Sequence, residues 1–169
     1  AMISDDSGAT ASNLAEAIIS NRNPIVTPIE TTPGSGAINT DSLQCVAVAV
    51  DQDHQTVNIS YDWTNLSTNQ TLGSGSSITL DQNLAVGGDV IRCTATATDT
   101  DGGSDSIMTV TAIDNSEPVF DNAVQITPNV NVSVGDNLVC EASVSDPDGQ
   151  STTIGYLWKN DDTGATLGL

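Results

Sequence analysis

The residues of this chain that could do chemistry are mostly carboxylates. Of its 169 residues 22 are acidic, and 18 of these are aspartate, whose short side chain favours turns and hard cations such as calcium (Ca²⁺). The notable groups are Asp51 with Asp53, Asp99 with Asp101, Asp146 with Asp148, and Asp114 with Asn115 and Glu117. These oxygen donors predict calcium binding. The alternative is ordinary turn chemistry, in which Asp caps a loop and a following Gly takes a positive φ.

Catalytic chemistry finds little support in the sequence. His54 is the only histidine, so neither a histidine zinc cluster nor a Ser-His-Asp triad has more than one candidate. A glycosidase would need paired carboxylates across a cleft lined by aromatic side chains, and aromatic residues make up only 3% of the chain. We therefore predict no catalytic residues and a protein that is not an enzyme.

The charge of the chain restricts its partners. The formal net charge is −19, and the only basic residues are Arg22, Arg92 and Lys159. Because binding to a phosphate backbone requires a basic patch, nucleic acid is excluded as a partner. No apolar run approaches the ~20 residues of a membrane span. The acidity indicates cations or a saline, extracellular setting.

The chain repeats itself with a period of 95 residues. Residues 43–45 (Leu-Gln-Cys) return as 138–140 (Leu-Val-Cys), and residues 61–63 (Tyr-Asp-Trp) return as 156–158 (Tyr-Leu-Trp). The first residues join the pattern at a shift of 94. We therefore predict three parts: a C-terminal remnant of one repeat at 1–22, a complete repeat at 23–116, and the N-terminal half of a third unit at 117–169.

The apolar pattern of the complete repeat predicts strands. Strict alternation places Val57, Ile59, Tyr61 and Trp63 on one face of a half-buried strand. Strands are expected at 25–29, 43–49, 57–63, 77–80, 91–97 and 106–113, with turns at 33–36 and 73–75. Residues 13–19 are expected to be the last strand of the preceding repeat. The fold class is all-β.

The spacing of the cysteines and tryptophans resembles that of immunoglobulin-like domains. Cys45 is followed by Trp63 and then Cys93, and Cys140 and Trp158 repeat the first two of these residues. The resemblance implies tandem β-sandwiches with incomplete repeats at both ends, and a Cys45–Cys93 disulfide packed against a core tryptophan. It also implies oxidising surroundings. Buried free thiols remain the alternative. Ile91, where many such domains carry a tyrosine, indicates a divergent, bacterial-type relative.

The segment 113–120 (Ile-Asp-Asn-Ser-Glu-Pro-Val-Phe) is similar to the acidic linkers between cadherin repeats, which bind calcium. In an immunoglobulin-like sandwich the loop after the second strand lies at the end where the chain enters the domain. The resemblance therefore implies that Asp146 and Asp148 face this linker. The implied calcium ligands are Asp114, Asn115, Glu117, Asp146 and Asp148.

The same topology implies a second acidic cluster in the complete repeat. Asp51, Asp53, Asp99 and Asp101 would converge at the end that follows residues 20–23. Four neighbouring carboxylates repel one another, so a cation binds there or the loops separate in water. Residues 20–23, the linker at this end, contain no acidic residue and include the basic residue Arg22. The alternative to calcium is that Arg22 supplies the counter-charge directly.

An apolar row on the surface has two possible explanations. Val46, Val48 and Val50 form an apolar row on the outward face of the second predicted strand. We expect a neighbouring strand or linker of the same chain to cover this row. Lateral contact with another molecule is the alternative.

Together these patterns predict a non-enzymatic array outside the cell or at its surface. It would serve as a stalk, adhesin shaft or filament component, possess calcium-stiffened junctions, and contact neighbouring repeats of its own chain. Further expected interactions are self-assembly into a filament or binding to a cell-surface ligand. The alternatives are an accessory module array of a secreted hydrolase and a filament subunit assembled by strand complementation.

Overall fold

The computed structural model describes residues 1–168, and these residues are all-β with no helix. They accordingly contain no helix long and apolar enough to cross a membrane. At the N-terminus β1 (Met2–Ser4) and β2 (Thr10–Ser12) pair as an exposed antiparallel hairpin. All strand pairings in this part of the chain are antiparallel, in agreement with the predicted fold class.

Nine strands make up the complete repeat. They are β3 (Ile25–Val26), β4 (Glu30–Thr32), β5 (Ser42–Val46), β6 (Ala49–Val50), β7 (Asn58–Asn65), β8 (Gln70–Ser74), β9 (Ser77–Thr79), β10 (Val90–Thr98) and β11 (Ser104–Ala112). One sheet has the order β11-β10-β7-β8, and a second has the order β4-β5-β9. The short strands β3 and β6 pair with each other.

The core of the complete repeat joins these two sheets. Leu43 and Cys45 of β5, Trp63 of β7, and Ile91 and Cys93 of β10 belong to one buried cluster and are each 0% exposed. The predicted Cys45–Cys93 disulfide is present and links the sheets covalently. The predicted alternation is confirmed, because the inward side chains of β10 are buried while their neighbours along the strand are half-exposed.

Polar groups within the core are satisfied by hydrogen bonds. The indole Nε1 of Trp63 donates to the carbonyl oxygen of Gly75 at 2.8 Å. The hydroxyl groups of Thr31 and Thr111, one from each sheet, share a buried hydrogen bond of 2.6 Å. The Thr31–Thr111 hydrogen bond therefore ties the sheets together at a position besides the disulfide.

The third unit contains six strands in three small sheets. They are β12 (Val119–Phe120), β13 (Gln125–Thr127), β14 (Val139–Glu141), β15 (Val144–Ser145), β16 (Trp158–Lys159) and β17 (Thr166–Gly168). The pairing of Trp158 with Gly168 repeats that of Trp63 with Gly73 at a distance of 95 residues. Trp158 and Cys140 are half-exposed, whereas their counterparts Trp63 and Cys45 are fully buried. Trp158 is therefore not the fully buried core residue that the repeat predicts.

Several expectations about the strands are wrong. Residues 13–19 lie in neither a strand nor a helix and are exposed, because the residues before them provide no counterpart of β10 with which they could pair. The single strand expected at 25–29 is divided into β3 and β4. Pro28 lies between them and has no N–H to donate to the ladder, so pairing stops at that point.

The apolar row on the outward face is not covered. Val46, Val48 and Val50 are 56%, 58% and 54% exposed, so no strand or linker of residues 1–168 packs over them. Val46 lies in β5, Val50 lies in β6 and Val48 lies between them. β5 and β6 pair edge to edge with β4, β9 and β3, and such pairing leaves the faces of a sheet open. The expectation that a neighbouring part of the chain covers this row is wrong.

Candidate functional site

Four acidic residues of the complete repeat lie in two loops at one end of its sheets. Asp51 and Asp53 lie between β6 and β7, and Asp99 and Asp101 lie between β10 and β11. Gln55 connects the two loops, because its Nε2 donates to Asp101 Oδ2 at 2.7 Å. The two loops are therefore in contact, but among residues 1–168 their four carboxylates do not form one cluster, and each carboxylate makes different contacts.

Asp99 holds its own loop and the preceding linker. Its Oδ1 accepts the backbone N–H groups of Asp101 and Gly103 at 2.9 and 2.8 Å, and its Oδ2 accepts the side-chain amide of Asn21 at 2.9 Å. Asp99 is buried, and a Cβ at Gly103 would collide with Asp99 Oδ2. The amide of Asn21 and then the backbone N–H groups hold the pKa of Asp99 below its ordinary value, although burial acts in the opposite direction.

We expect Asn21→Ala to raise the pKa of Asp99, because the strongest donor to the ionised carboxylate is lost. In the native protein this depressed pKa contributes stability above the unfolded pKa near 3.8, and that contribution is lost as the pH falls through the folded pKa. A carbon-detected NMR titration of the Asp99 carboxyl group measures the shift. Asn122→Ala is the control, and an unchanged Asp99 pKa in Asn21→Ala would contradict the assignment.

Asp53 is neutralised by Arg22. The backbone N–H of Arg22 donates to Asp53 Oδ2 at 2.8 Å, and its guanidinium Nε and Nη2 contact Asp53 Oδ1 at 3.0 and 2.9 Å. The same guanidinium donates through Nη1 to Gln52 Oε1 at 2.8 Å. The expectation that Arg22 supplies the counter-charge directly is therefore confirmed. Because the Arg22 side chain is 61% exposed, water and salt screen the ion pair.

Asp51 differs from its neighbours because it retains a buried, unpartnered oxygen. Its Oδ1 accepts the N–H of Asp53 at 2.6 Å and so caps its own loop. Its Oδ2 and the Oε1 of Gln55 are buried and accept no hydrogen bond from any residue in 1–168. Two free oxygens fall short of the six to eight that calcium takes.

The linker of the second junction is fixed by Asp148. Its Oδ1 accepts the N–H of Gly87 at 2.9 Å, and its Oδ2 accepts the N–H of Ser116 at 2.6 Å. Asp146 accepts the N–H of Asp148 at 2.8 Å and thus caps the loop that presents it. This part of the site is turn chemistry directed at two other segments of the chain.

The other predicted ligands of the second junction do not join Asp148. Asp114 and Glu117 are exposed, and the amide oxygen of Asn115 accepts a hydrogen bond from Gln150 at 2.7 Å. Among residues 1–168 no three His, Cys, Asp or Glu side chains are grouped so as to hold a metal ion. As arranged, the donors do not fit calcium, and calcium binding stays a prediction from the sequence.

Three further residues, which no sequence motif indicated, connect the acidic loops and the second junction. Gln55 connects the acidic loops, and Asn39 and Gly87 connect the complete repeat to the third unit. Asn39 donates through Nδ2 to the carbonyl oxygen of Pro147, 108 residues away, and accepts the hydroxyl of Ser116 at 3.1 Å. None of these residues belongs to a motif, so no local signal identified them.

A smaller polar contact orders the third unit. Asp121 accepts the hydroxyl groups of Ser143 and Ser145, each at 2.6 Å. These two donors hold the pKa of Asp121 below its ordinary value, against a smaller effect of burial. Asp121 thereby ties the start of the unit to the segment that carries β15.

Comparison with known proteins gives no match to a family model, to a curated protein or to a solved structure.

Proposed function

We propose that the chain is part of a non-enzymatic array of tandem immunoglobulin-like sandwiches, located outside the cell or at its surface, that serves as a stalk, adhesin shaft or filament component. One observation carries this proposal. Asp53 and Asp148, 95 residues apart, each accept a hydrogen bond from the backbone of the linker that enters their own unit. An array in which successive units hold their linkers alike keeps a regular spacing.

The architecture of the complete repeat supports the immunoglobulin-like part of the proposal. A four-stranded and a three-stranded sheet share one core, a disulfide joins β5 to β10, and Trp63 belongs to the same buried cluster. This is the arrangement expected of that fold. The disulfide also supports an oxidising location, since such bonds persist mainly outside the reducing cytosol.

The chemistry of the acidic end supports a structural role. Asp53, Asp99 and Asp148 are occupied by backbone, amide or guanidinium donors, and they hold segments of the chain together. A carboxylate used as a general acid or base needs access to a substrate. The partners that fit this arrangement are the neighbouring repeats of the same chain. Further proposed partners are other copies in a filament or a ligand on a cell surface.

Immunogold microscopy of intact source cells tests the proposal, using antibodies raised against this protein. We expect label on projections outside the cell, at intervals along their length. Label confined to the cytoplasm would overturn the proposal. Label released into the medium together with a hydrolase activity would favour the accessory-module alternative.

Strand complementation is a second candidate, favoured by the open apolar surface of the third unit. Cys140 and Trp158 are half-exposed together with Leu138 and Tyr156, and they line a groove of about 740 Å³. A strand equivalent to β10, from the same chain or from another subunit, would cover these side chains. If the inserted strand belongs to another subunit and carries a cysteine equivalent to Cys93, native particles run without reducing agent would show subunits joined by a disulfide to Cys140. Purely monomeric chains would exclude covalent complementation between subunits.

A further inference from the structure

The junction between the complete repeat and the third unit is built around one buried carboxylate. Asp148 is 7% exposed and accepts N–H groups from two separate segments: Gly87, in the loop between β9 and β10, and Ser116, in the linker. Charge-assisted hydrogen bonds of this kind are among the stronger ones in proteins. A single side chain of the third unit thus holds both the linker and the preceding repeat.

A second side chain crosses the junction in the opposite direction. Asn39 of the complete repeat is 0% exposed, donates to the carbonyl oxygen of Pro147 and accepts the hydroxyl of Ser116. Ser116 is itself 3% exposed. The polar groups of the junction are therefore paired with one another and shielded from water, and this condition makes such contacts rigid.

The loop that contains Gly87 and the linker meet at backbone distance. A Cβ at Gly87 would lie 2.7 Å from the Cα of Asn115 and 3.1 Å from its backbone nitrogen. Real Cβ atoms do not approach backbone so closely, so only glycine fits here without displacing the linker. The requirement is one of space, since the backbone of Gly87 does not have a positive φ.

We infer that Asp148, Asn39 and Gly87 form an interaction surface, the junction clamp, whose partner is the adjacent unit of the same chain and which holds the two units together without a bound cation. This inference rests on the proposed function of a spacing array and names how one joint of that array is fixed. The backbone N–H groups of Gly87 and Ser116 supply the positive partners that the cadherin-like resemblance assigns to calcium.

The first junction shows which part of the clamp recurs. Arg22 and Ser116 are equivalent in the repeat, and both donate a backbone N–H to the second aspartate of the following loop, at 2.8 and 2.6 Å. The other oxygen of Asp53 binds the Arg22 guanidinium, whereas that of Asp148 binds Gly87 of the preceding repeat. The contact with the linker is therefore shared by the two junctions, and at the second junction Asp148 also holds Gly87 of the preceding repeat.

Amide hydrogen exchange on the 169-residue protein tests the clamp, in EDTA and in millimolar calcium. We expect the N–H groups of Gly87 and Ser116 to be protected equally in both. Asp148→Asn should speed their exchange by about tenfold, as expected from the loss of a charge-assisted hydrogen bond. Asp146→Asn is the matched control, because an Asn at that position still caps its own loop. Amides of β10 report whether the complete repeat stays folded.

A joint fixed by calcium and a joint fixed by the clamp respond differently to the control substitution Asp146→Asn. If calcium fixed the joint, Asp146→Asn would also weaken it, and protection would require the metal. Calcium-dependent protection, or unchanged exchange in Asp148→Asn, would overturn the clamp. Neither result bears on where the protein is located, so failure of the clamp and failure of the proposed function are distinguishable.

A second variant leaves the carboxylate in place, in case Asp148→Asn disturbs the folding of the third unit. Gly87→Ala should displace the linker by contact with Asn115 and make the side-chain amide of Asn39 exchange at least about tenfold faster. Gly155→Ala is its control, because a Cβ there meets no atom within 4 Å. Retained protection of the Asn39 amide in Gly87→Ala would overturn the inference.

Discussion

Substituting Trp63 by alanine is expected to lower the free energy of unfolding of the complete repeat by about 3–5 kcal/mol. Trp63 is 0% exposed, and its ring belongs to the cluster that contains both disulfide cysteines. The substitution leaves a cavity between the two sheets and removes the donor to Gly75. Because native domains are stable by only about 5–15 kcal/mol, this loss is a large part of the stability of the repeat.

Chemical denaturation followed by circular dichroism and by amide exchange in β10 measures this effect. Trp158→Ala is the matched control, since the same residue type at the equivalent position is half-exposed and lies in the third unit. We expect the control to leave exchange in β10 at the wild-type rate. Equal effects of the two substitutions on β10 would contradict the assignment of Trp63 to the core of the complete repeat. Trp63→Phe would separate the loss of ring volume from the loss of the hydrogen bond.

Removing the Cys45–Cys93 disulfide by the double substitution to alanine is expected to destabilise the complete repeat by about 4 kcal/mol, on a chain-entropy estimate for a loop of this length. The sequence separation of the two cysteines is 48, and both side chains are 0% exposed. A double substitution is preferable to a single one, because a remaining thiol could pair with Cys140.

Comparison of oxidised and reduced wild-type protein provides an independent measurement of the same effect. Reduction should lower the denaturation midpoint of the wild type and leave that of the double variant unchanged. Cys140→Ser is the control and should retain the wild-type response to reduction. If wild-type and double variant respond alike to a reducing agent, the disulfide does not stabilise the fold as stated.

On the proposed junction clamp, unit stability and joint stiffness depend on different residues of the chain. Trp63 and the Cys45–Cys93 disulfide lie between the two sheets, whereas Asp148 and Asn39 lie at the junction with the third unit. Substitutions at separated sites usually have additive effects. A variant with a loosened joint is therefore expected to keep its folded repeats, so stiffness can be altered without unfolding the array.

The sequence by itself determined the fold class, the main strands and the inward faces of the complete repeat. These follow from period-2 alternation, because burying one face of a sheet dictates which residues of β7 and β10 are apolar. The 95-residue repeat also gave the equivalence of Asp53 with Asp148 and of Trp63 with Trp158. The disulfide came from the resemblance to immunoglobulin-like domains, and the structure confirms it.

Some local predictions were wrong because strand formation requires a partner. Residues 13–19 were expected to form a strand from their alignment with residues 107–113, but they have no adjacent strand to pair with. Gly73 lies in a strand, β8, where a turn was expected. The pairing of Gly73 with Trp63 shows that the ladder of β7 recruits this segment. Hydrogen-bond partners distant in sequence thus overrode local propensity.

Only the tertiary structure decided what each carboxylate does. The sequence placed Asp51, Asp53, Asp99, Asp101, Asp146 and Asp148 at the right ends of the units, but it could not show which donors each carboxylate meets. Gly87 and Asp148 are 61 residues apart and Asn39 and Pro147 are 108 apart, and no spacing rule connects residues that only folding brings together. Because a carboxylate can accept a hydrogen bond from a backbone N–H or a guanidinium, or can coordinate a metal ion, its role follows from the partner that packing places beside it.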